Sequence, residues 1–298
     1  MTEQTITFGN NNSLIGILTE PENFSDTKPV VFLLNAGMLP KVGPNRLHVD
    51  LARELANDGF MTLRFDFSGV GDSEVSMENH SSFNEKAKLE TFKAMDLIEN
   101  IYNIKSFVLF GICSGSDIAF LAAREDKRII GVHLINGHLI EQSSMDDVYP
   151  LLAGRIQMRY YKKSLKDYRK WVKILTGKSG AINKKNIKKI TGKITAIIKK
   201  RKNNVPVNNK KHNENKKDPC KPLKDLINSD INILLSYSEG SDTYDIYELL
   251  LKKEVEKIKD RPNLKIDIMM DADHVYTPVW SQKKLIENNI KWMKHYFN

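Results

Sequence analysis

Short apolar runs recur along the chain, and several of them are followed by stretches with helical spacing. Two runs, residues 5–8 and 14–18, flank a glycine- and asparagine-rich turn and predict an antiparallel pair of strands. Six later runs predict further strands at 30–34, 61–65, 107–110, 131–135, 231–235 and 264–268. Helical patterns occupy 46–58, 85–102, 114–124 and 278–297. Strands that alternate with helices are joined by crossover connections, so the pattern predicts a mostly parallel sheet.

The alternation stops between residues 139 and 228. A lysine- and tyrosine-rich stretch with helical character intervenes there before the next strand begins. We therefore predict a core built from residues 1–138 and 229–298, with residues 139–228 as a helical cap inserted over the carboxyl edge of the sheet. Within the insertion, residues 203–217 combine asparagines and lysines with few apolar anchors, which predicts a disordered loop.

Composition agrees with one large domain that carries an insertion. The 298 residues are 41% hydrophobic and 28% charged, enough to bury a full core. No apolar run reaches the length of a membrane span, and the first residues lack a secretory signal, so we expect a cytoplasmic protein. Both cysteines, Cys113 and Cys220, are then expected as free thiols.

The net charge of +9 is unevenly distributed. Residues 151–228 hold 24 of the 46 Lys and Arg residues but only 4 of the 37 Asp and Glu residues. This basic segment is either a solvated face or a surface that attracts an acidic partner such as an acyl-carrier protein. No recognition-helix or zinc pattern accompanies the charge, so nucleic acid is not the expected partner. Metal-ligand spacing and a complete dinucleotide fingerprint are also missing from the sequence, and we expect neither a metal nor a cofactor.

One pentapeptide, Gly-Ile-Cys-Ser-Gly at residues 111–115, lies between an apolar run and a helical pattern. This arrangement predicts a sharp strand–turn–helix junction that displays Cys113 as a nucleophile. Side chains two residues to either side would collide across such a bend, and Cys113 has glycines at those offsets, Gly111 and Gly115. Ser114 has an isoleucine and a serine there instead. The alternative is that Cys113 is a buried structural cysteine in a tight junction.

A cysteine nucleophile needs a base and an acid that orients the base, and with this type of junction they follow in the order nucleophile, acid, histidine. His274, between the last predicted strand and the last predicted helix, is the strongest candidate base among the seven histidines. The acid should follow the preceding strand, where Asp242 is favoured and Glu239 and Asp245 remain alternatives. An ordinary helix N-cap is the competing explanation for Asp242.

An oxyanion formed on a substrate carbonyl needs two backbone N–H donors. We expect one from Ser114, at the amino end of the helix that follows the junction, and one from Gly37 or Met38 in the loop after the third strand. The positive end of the same helix is expected to lower the pKa of the Cys113 thiol.

With these motifs assembled, the chain resembles the α/β-hydrolase superfamily. Residues 43–47 and 63–73 are similar to serine-aminopeptidase-like hydrolases, and especially to the exosortase-system-associated subgroup, which often has cysteine at the nucleophile position. Residues 160–165, Trp171 and 175–177 resemble the cap of that subgroup, and residues 272–282 resemble its histidine loop. The resemblance implies an eight-stranded, mostly parallel sheet flanked by helices, with a helical cap. One departure is that Ser241 precedes Asp242 where the usual sequence is Ser-Glu-Gly-Asp.

Three functions agree with these observations. The first is a hydrolase that acts on ester or thioester bonds of a small acyl substrate through an acyl-cysteine intermediate, with Cys113, His274 and Asp242 as the triad. The second is an acyltransferase that uses the same residues on thioester donors. The third is a non-catalytic binding protein on a hydrolase scaffold. Amide cleavage is disfavoured because transfer of an acyl group from an amide to a thiol is uphill in free energy.

Overall fold

The structure is a computed structural model that describes residues 1–75, 82–140, 152 and 218–298. Its strands are β1 Thr2–Phe8, β2 Leu14–Glu20, β3 Val30–Leu34, β4 Thr62–Phe65, β5 Phe107–Ile112, β6 Ile129–Ile135, β7 Asn232–Ser238 and β8 Leu264–Met269. The α-helices are α1 Leu47–Asn57, α2 Phe83–Tyr102, α3 Ser114–Ala123, α4 Lys221–Ile227, α5 Asp242–Ile246, α6 Lys252–Glu256 and α7 Val279–Phe297. Short 3-10 turns occupy Asn10–Asn12 and Pro44–Arg46, and a π-helical turn, Tyr247–Leu251, joins α5 to α6.

The described strands form one sheet in the order β1-β2-β4-β3-β5-β6-β7-β8. The pairs β1/β2 and β2/β4 are antiparallel, and all other neighbours in the sheet are parallel. The predicted amino-terminal hairpin and the mostly parallel sheet that follows it are therefore both present. Because β5 to β8 are parallel neighbours, the loops that leave their carboxyl ends meet at one edge of the sheet.

The central strands are buried on both faces because their successive side chains point to opposite faces of the sheet and helices pack against each face. On one face, Phe32 and Leu109 pack in a cluster that includes Met95 of α2 and Ile118 of α3. On the other face, Phe110 belongs to a cluster with the buried residues of α1 and α7. Continuous burial of β3 and β5 explains why these strands appear in the sequence as unbroken apolar runs.

The backbone divides into two compact units, Met1–Asp146 with Pro219–Asn298, and Asp147–Asp218. The second unit is shorter than the insertion predicted at 139–228. At the carboxyl end the difference arises because α4 buries Leu223, Leu226 and Ile227 in the core cluster of the first unit. The predicted disordered loop at 203–217 lies outside the described residues. The same is true of most of the basic segment at 151–228, of which the structure describes residue 152 and residues 218–228. The acidic carrier protein expected to bind this segment stays a prediction.

Helices long and apolar enough to cross a membrane are not found in the described part of the chain.

Candidate active site

Cys113 occupies the sharp junction that the sequence predicted. It follows β5 and precedes the first residue of α3, with φ 58° and ψ −125°, backbone angles that a non-glycine residue rarely adopts. A non-glycine residue in such a strained conformation costs about 1–3 kcal/mol and persists only where the surroundings impose it. The strain lifts the thiol out of the strand direction at the amino end of a helix.

The two flanking glycines are required by close backbone approach. A Cβ at Gly115 would lie 2.6 Å from the carbonyl oxygen of Asn35, and a Cβ at Gly111 would collide with the carbonyl of Gly115 itself. The contact predicted across the bend thus applies to Gly111, whereas Gly115 is required by the backbone at the end of β3. This close approach places β3 and its loop directly against the start of α3.

The pKa of the Cys113 thiol is raised, opposite to the sequence-based expectation. Burial of the sulfur is the largest cause, and the negative charge of Asp117 on α3 adds to it. The backbone N–H of Ser114 acts in the other direction, as expected of a helix amino terminus, but it is outweighed. The Cys113 thiol is therefore neutral at neutral pH, and a nucleophilic role would require a base to remove its proton.

Alkylation by iodoacetamide should report this raised pKa. In a Cys220→Ala background, we expect the rate of Cys113 modification, measured by intact mass, to keep rising between pH 7 and pH 9, because the thiolate fraction grows until the pH passes the pKa. Asp117→Asn removes a charge that raises the pKa and should shift the curve to lower pH. A rate already constant above pH 7 would contradict the raised pKa.

His274 lies in the loop between β8 and α7, on the same sheet edge as Cys113. Two consecutive residues at the end of β6 connect the two loops: Ile135 O accepts a hydrogen bond from Cys113 N at 2.9 Å, and Asn136 Nδ2 donates to His274 O at 2.8 Å. Asp273 Oδ1 accepts from Thr277 N at 2.8 Å and fixes the histidine loop from its other side. The backbone position of His274 is therefore fixed by a hydrogen bond from the Asn136 side chain and by one within its own loop.

The side chain of Ser241 contacts the ring of His274. Its Oγ lies 2.7 Å from Nδ1 and also accepts from Thr243 N at 3.2 Å, as the N-cap of α5. The pKa of His274 is lowered overall, because burial of the ring outweighs the charges near it. One of these charges is Asp242, which is exposed in the first turn of α5 and acts in the opposite direction by favouring the imidazolium.

The two alternative acids, Glu239 and Asp245, lie in the β7 turn and on α5. Glu239 Oε2 accepts from Asp271 N at 3.3 Å and so ties the β7 turn to the histidine loop. Asp245 is buried on α5, one turn after the N-cap. A close backbone approach between Gly240 and Ala272, with a hydrogen bond of 2.9 Å, brings the turn and the loop together.

The expected oxyanion donors lie at the junction of the β3 loop and α3. Gly37 N donates to the side-chain Oγ of Ser114 at 2.7 Å, so this amide is occupied in the structure. Met38, the next residue, has 71% of its surface exposed. The backbone N–H of Ser114 points toward the Cys113 sulfur and lowers its pKa. The Ser114 hydroxyl thus lies where a substrate oxygen would receive the Gly37 hydrogen bond.

A buried polar network fixes the β3 loop. Asp66, fully buried after β4, accepts hydrogen bonds from Lys41 Nζ at 2.7 Å, from Asn35 Nδ2 at 3.2 Å and from Asp72 N at 3.0 Å. A Cβ at Gly71 would overlap the Asp66 carboxylate, which explains the glycine in this turn. The hydrogen bonds of Asp66 thus support the loop that carries Gly37.

A second imidazole, which the sequence analysis did not select, lies beside this site. His138, in the loop after β6, has Nδ1 2.8 Å from Asp117 Oδ2, and Asp117 lies on the first turn of α3. No sequence signal links the two, because they are 21 residues apart on different elements. Among the described side chains, three or more His, Cys, Asp or Glu residues do not come together in a metal-binding arrangement.

The comparisons with known proteins concern the fold. A family model described as alpha/beta hydrolase fold matches residues 30–175. No curated protein matches the chain. Among solved structures, the chain is similar to an esterase from Pyrococcus furiosus (13% identity, TM-score 0.57, covering 100% of this chain and 94% of that one). It is also similar to an alpha-beta serine hydrolase homologue from Coxiella burnetii (12%, 0.54, 99% and 98%) and to a dienelactone hydrolase from Anabaena variabilis (12%, 0.57, 100% and 99%). These likenesses confirm the predicted fold class.

Proposed function

We propose that this chain, which has the α/β-hydrolase fold, is a hydrolase that cleaves ester or thioester bonds of a small acyl substrate through an acyl-cysteine intermediate on Cys113. The observation that carries the proposal is the strained Cys113 junction, whose loop is joined to the His274 loop through Ile135 and Asn136. Strain of this kind is retained where it displays a reactive group.

In the proposed acylation step, His274 takes the proton from the Cys113 thiol while the sulfur attacks the substrate carbonyl carbon. The raised pKa of the thiol makes this general-base role necessary, since little thiolate exists beforehand. The bond to the leaving group then breaks, and the proton on His274 passes to the leaving oxygen or sulfur. The product is a thioester between the acyl group and Cys113.

The charge that forms on the carbonyl oxygen is assigned to the backbone N–H groups of Ser114 and of Gly37 or Met38. For Gly37 to donate, the Ser114 hydroxyl must give up its present hydrogen bond, which needs only a rotation about one side-chain bond. The orientation of His274 is assigned to Ser241, with Asp242 as a nearby negative charge that stabilises the imidazolium. Asp242 remains the proposed acid only in this electrostatic sense.

A direct test is intact-protein mass spectrometry after brief incubation with p-nitrophenyl butyrate or S-butyryl-N-acetylcysteamine, followed by an acid quench. We expect one butyryl group per chain, located on Cys113 by peptide mapping. Cys113→Ala should show no adduct. Cys220→Ala is the matched control, since that thiol is buried against the carbonyl of Leu250, and it should be acylated like the wild type. Equal labelling of the wild type and Cys113→Ala would overturn the proposal.

A further inference from the structure

We propose that the hydroxyl of Thr243 decides which nitrogen of the His274 ring carries the proton, and that it acts through the hydroxyl of Ser241. Thr243 is then a positioning residue for the base. The inference rests on the proposed function, in which His274 accepts the proton of the Cys113 thiol. Because Ser241 contacts Nδ1, the nitrogen that must accept this proton is Nε2.

The inference is carried by a chain of contacts that leads from His274 into α5. Ser241 Oγ lies 2.7 Å from His274 Nδ1 and 2.6 Å from Thr243 Oγ1. The same oxygen accepts a hydrogen bond from Thr243 N at 3.2 Å. Ser241 is fully buried and Thr243 is 4% exposed, so these polar atoms are satisfied by one another.

The number of protons links the two hydroxyls to the tautomer. A serine hydroxyl has one proton to donate and two lone pairs, and one lone pair of Ser241 receives Thr243 N–H. In one arrangement Ser241 donates to Thr243 Oγ1 and accepts from Nδ1–H, so that Nε2 keeps its lone pair. In the other arrangement Thr243 donates to Ser241 and Ser241 donates to Nδ1. The proton of the neutral ring is then on Nε2, which cannot accept another.

The first arrangement is the one that the proposed reaction requires. The Cys113 thiol is neutral and carries a proton that needs an acceptor, and only the ring with a bare Nε2 offers one. An ionised carboxylate beside Nδ1 would fix this tautomer alone, because a carboxylate can only accept. A serine hydroxyl can also donate, and it fixes the same tautomer when a further acceptor takes its proton. Thr243 Oγ1 is placed to be that acceptor.

The backbone holds this chain of contacts in position. Gly240 N donates to Ala272 O at 2.9 Å, and a Cβ at Gly240 would lie 2.7 Å from that oxygen, so the turn before α5 lies directly against the histidine loop. Ser241 is the N-cap of α5 and Thr243 stands in its first turn. The branched side chain of threonine also restricts its own rotation. The acceptor is therefore held by a short and rigid segment.

Thr243→Val tests the assignment, because valine has the shape of threonine and lacks Oγ1. Loss of this acceptor shifts the balance toward donation from Ser241 to Nδ1 and lowers the population of the active tautomer. With p-nitrophenyl butyrate as the probe, we expect kcat to fall by about 10-fold, the worth of one hydrogen bond. Acylation and deacylation use the same ring nitrogen, so both slow together and KM should stay within about 2-fold of the wild-type value. Thr243→Ser keeps a hydroxyl and should retain most of the rate.

Nitrogen-15 NMR of the histidine rings reads the tautomer directly and without substrate. Spectra are recorded at about pH 8, where a histidine of lowered pKa is neutral, and His274→Asn identifies the signals of His274. We expect Nδ1–H with a bare Nε2 in the wild type. In Thr243→Val the Nε2–H form should increase.

A rescue variant and a matched control separate this role from a structural one. Ser241→Asp in the Thr243→Val background puts an acceptor beside Nδ1 that is also a good N-cap, and it should restore Nδ1–H and most of kcat. Thr91→Val is the control: it removes another buried threonine hydroxyl, which donates to Ala87 O at 2.8 Å on α2. This variant should keep the wild-type rate and the wild-type ring signals.

Two NMR results would overturn the inference: a wild-type His274 ring with its proton on Nε2, or a tautomer that is the same in Thr243→Val. Either could occur while Cys113 still forms its butyryl adduct, in which case the proposed function stands. An equal loss of kcat in Thr243→Ser and Thr243→Val would also count against a role of the hydroxyl. If the wild type forms no adduct, the proposed function fails and the catalytic role of the tautomer fails with it.

Discussion

Replacing either Cys113 or His274 by alanine is expected to lower kcat/KM for p-nitrophenyl butyrate by about 10⁴-fold, and the double replacement should lower it no further. The two residues act as one unit, because the thiol is neutral in the resting site and has no function without the base that deprotonates it. Loss of one partner thus removes the contribution of the other. Steady-state rates of the three variants, measured side by side, check this expectation.

The control for this comparison is His295→Ala, which removes an exposed histidine on α7 and should keep the wild-type rate. Additive losses in the double variant would mean that Cys113 and His274 act independently. Substantial activity in His274→Ala would contradict the role of His274 as the acylating base. In that case His138, the other imidazole at this edge of the sheet, would be the next base to test.

The parts of the site that the sequence predicted are those that depend on local pattern. Cys113 is marked by two glycines within two residues, and the structure shows why: each occupies a place where a Cβ would meet backbone atoms. The strands are similarly marked, because burial on both faces leaves unbroken apolar runs. His274 is placed by the order of elements, since it lies between the last strand and the last helix.

The partner of His274 could not be predicted in the same way. A carboxylate is the usual partner of a catalytic histidine, and Asp242 was favoured over Glu239 and Asp245 among the three carboxylates that follow β7. The hydrogen bond is decided by where α5 begins, and with Ser241 as its N-cap the hydroxyl turns toward His274. The sequence signal was Ser241, which precedes Asp242 as a departure from the Ser-Glu-Gly-Asp pattern of the subgroup that the chain resembles, and only the backbone shows its consequence.

Two further features depend on tertiary structure alone. The helix amino terminus predicted a low pKa for Cys113, but burial of the sulfur and the charge of Asp117 outweigh it. The Asp117–His138 pair joins a helix to a loop after a neighbouring strand, and neither residue stands in a motif. Burial and long-range pairing of this kind have no local pattern from which they could be predicted.

Asp66→Ala is expected to destabilise the protein by about 3–5 kcal/mol, because it leaves the Lys41 ammonium in a site where only 8% of its side chain is exposed and its buried partner is lost. Urea unfolding with an unchanged m-value measures this loss. Asp72→Ala is the matched control: it removes the other carboxylate on Lys41, but that side chain is 71% exposed and Asp66 remains, so we expect a loss of no more than about 1 kcal/mol.

Asp66 also anchors Asn35, two residues from Gly37, so Asp66→Ala should slow acylation of Cys113 in the fraction that stays folded, and Asp72→Ala should not. Equal destabilisation by the two variants would show that the buried carboxylate is not what holds the loop.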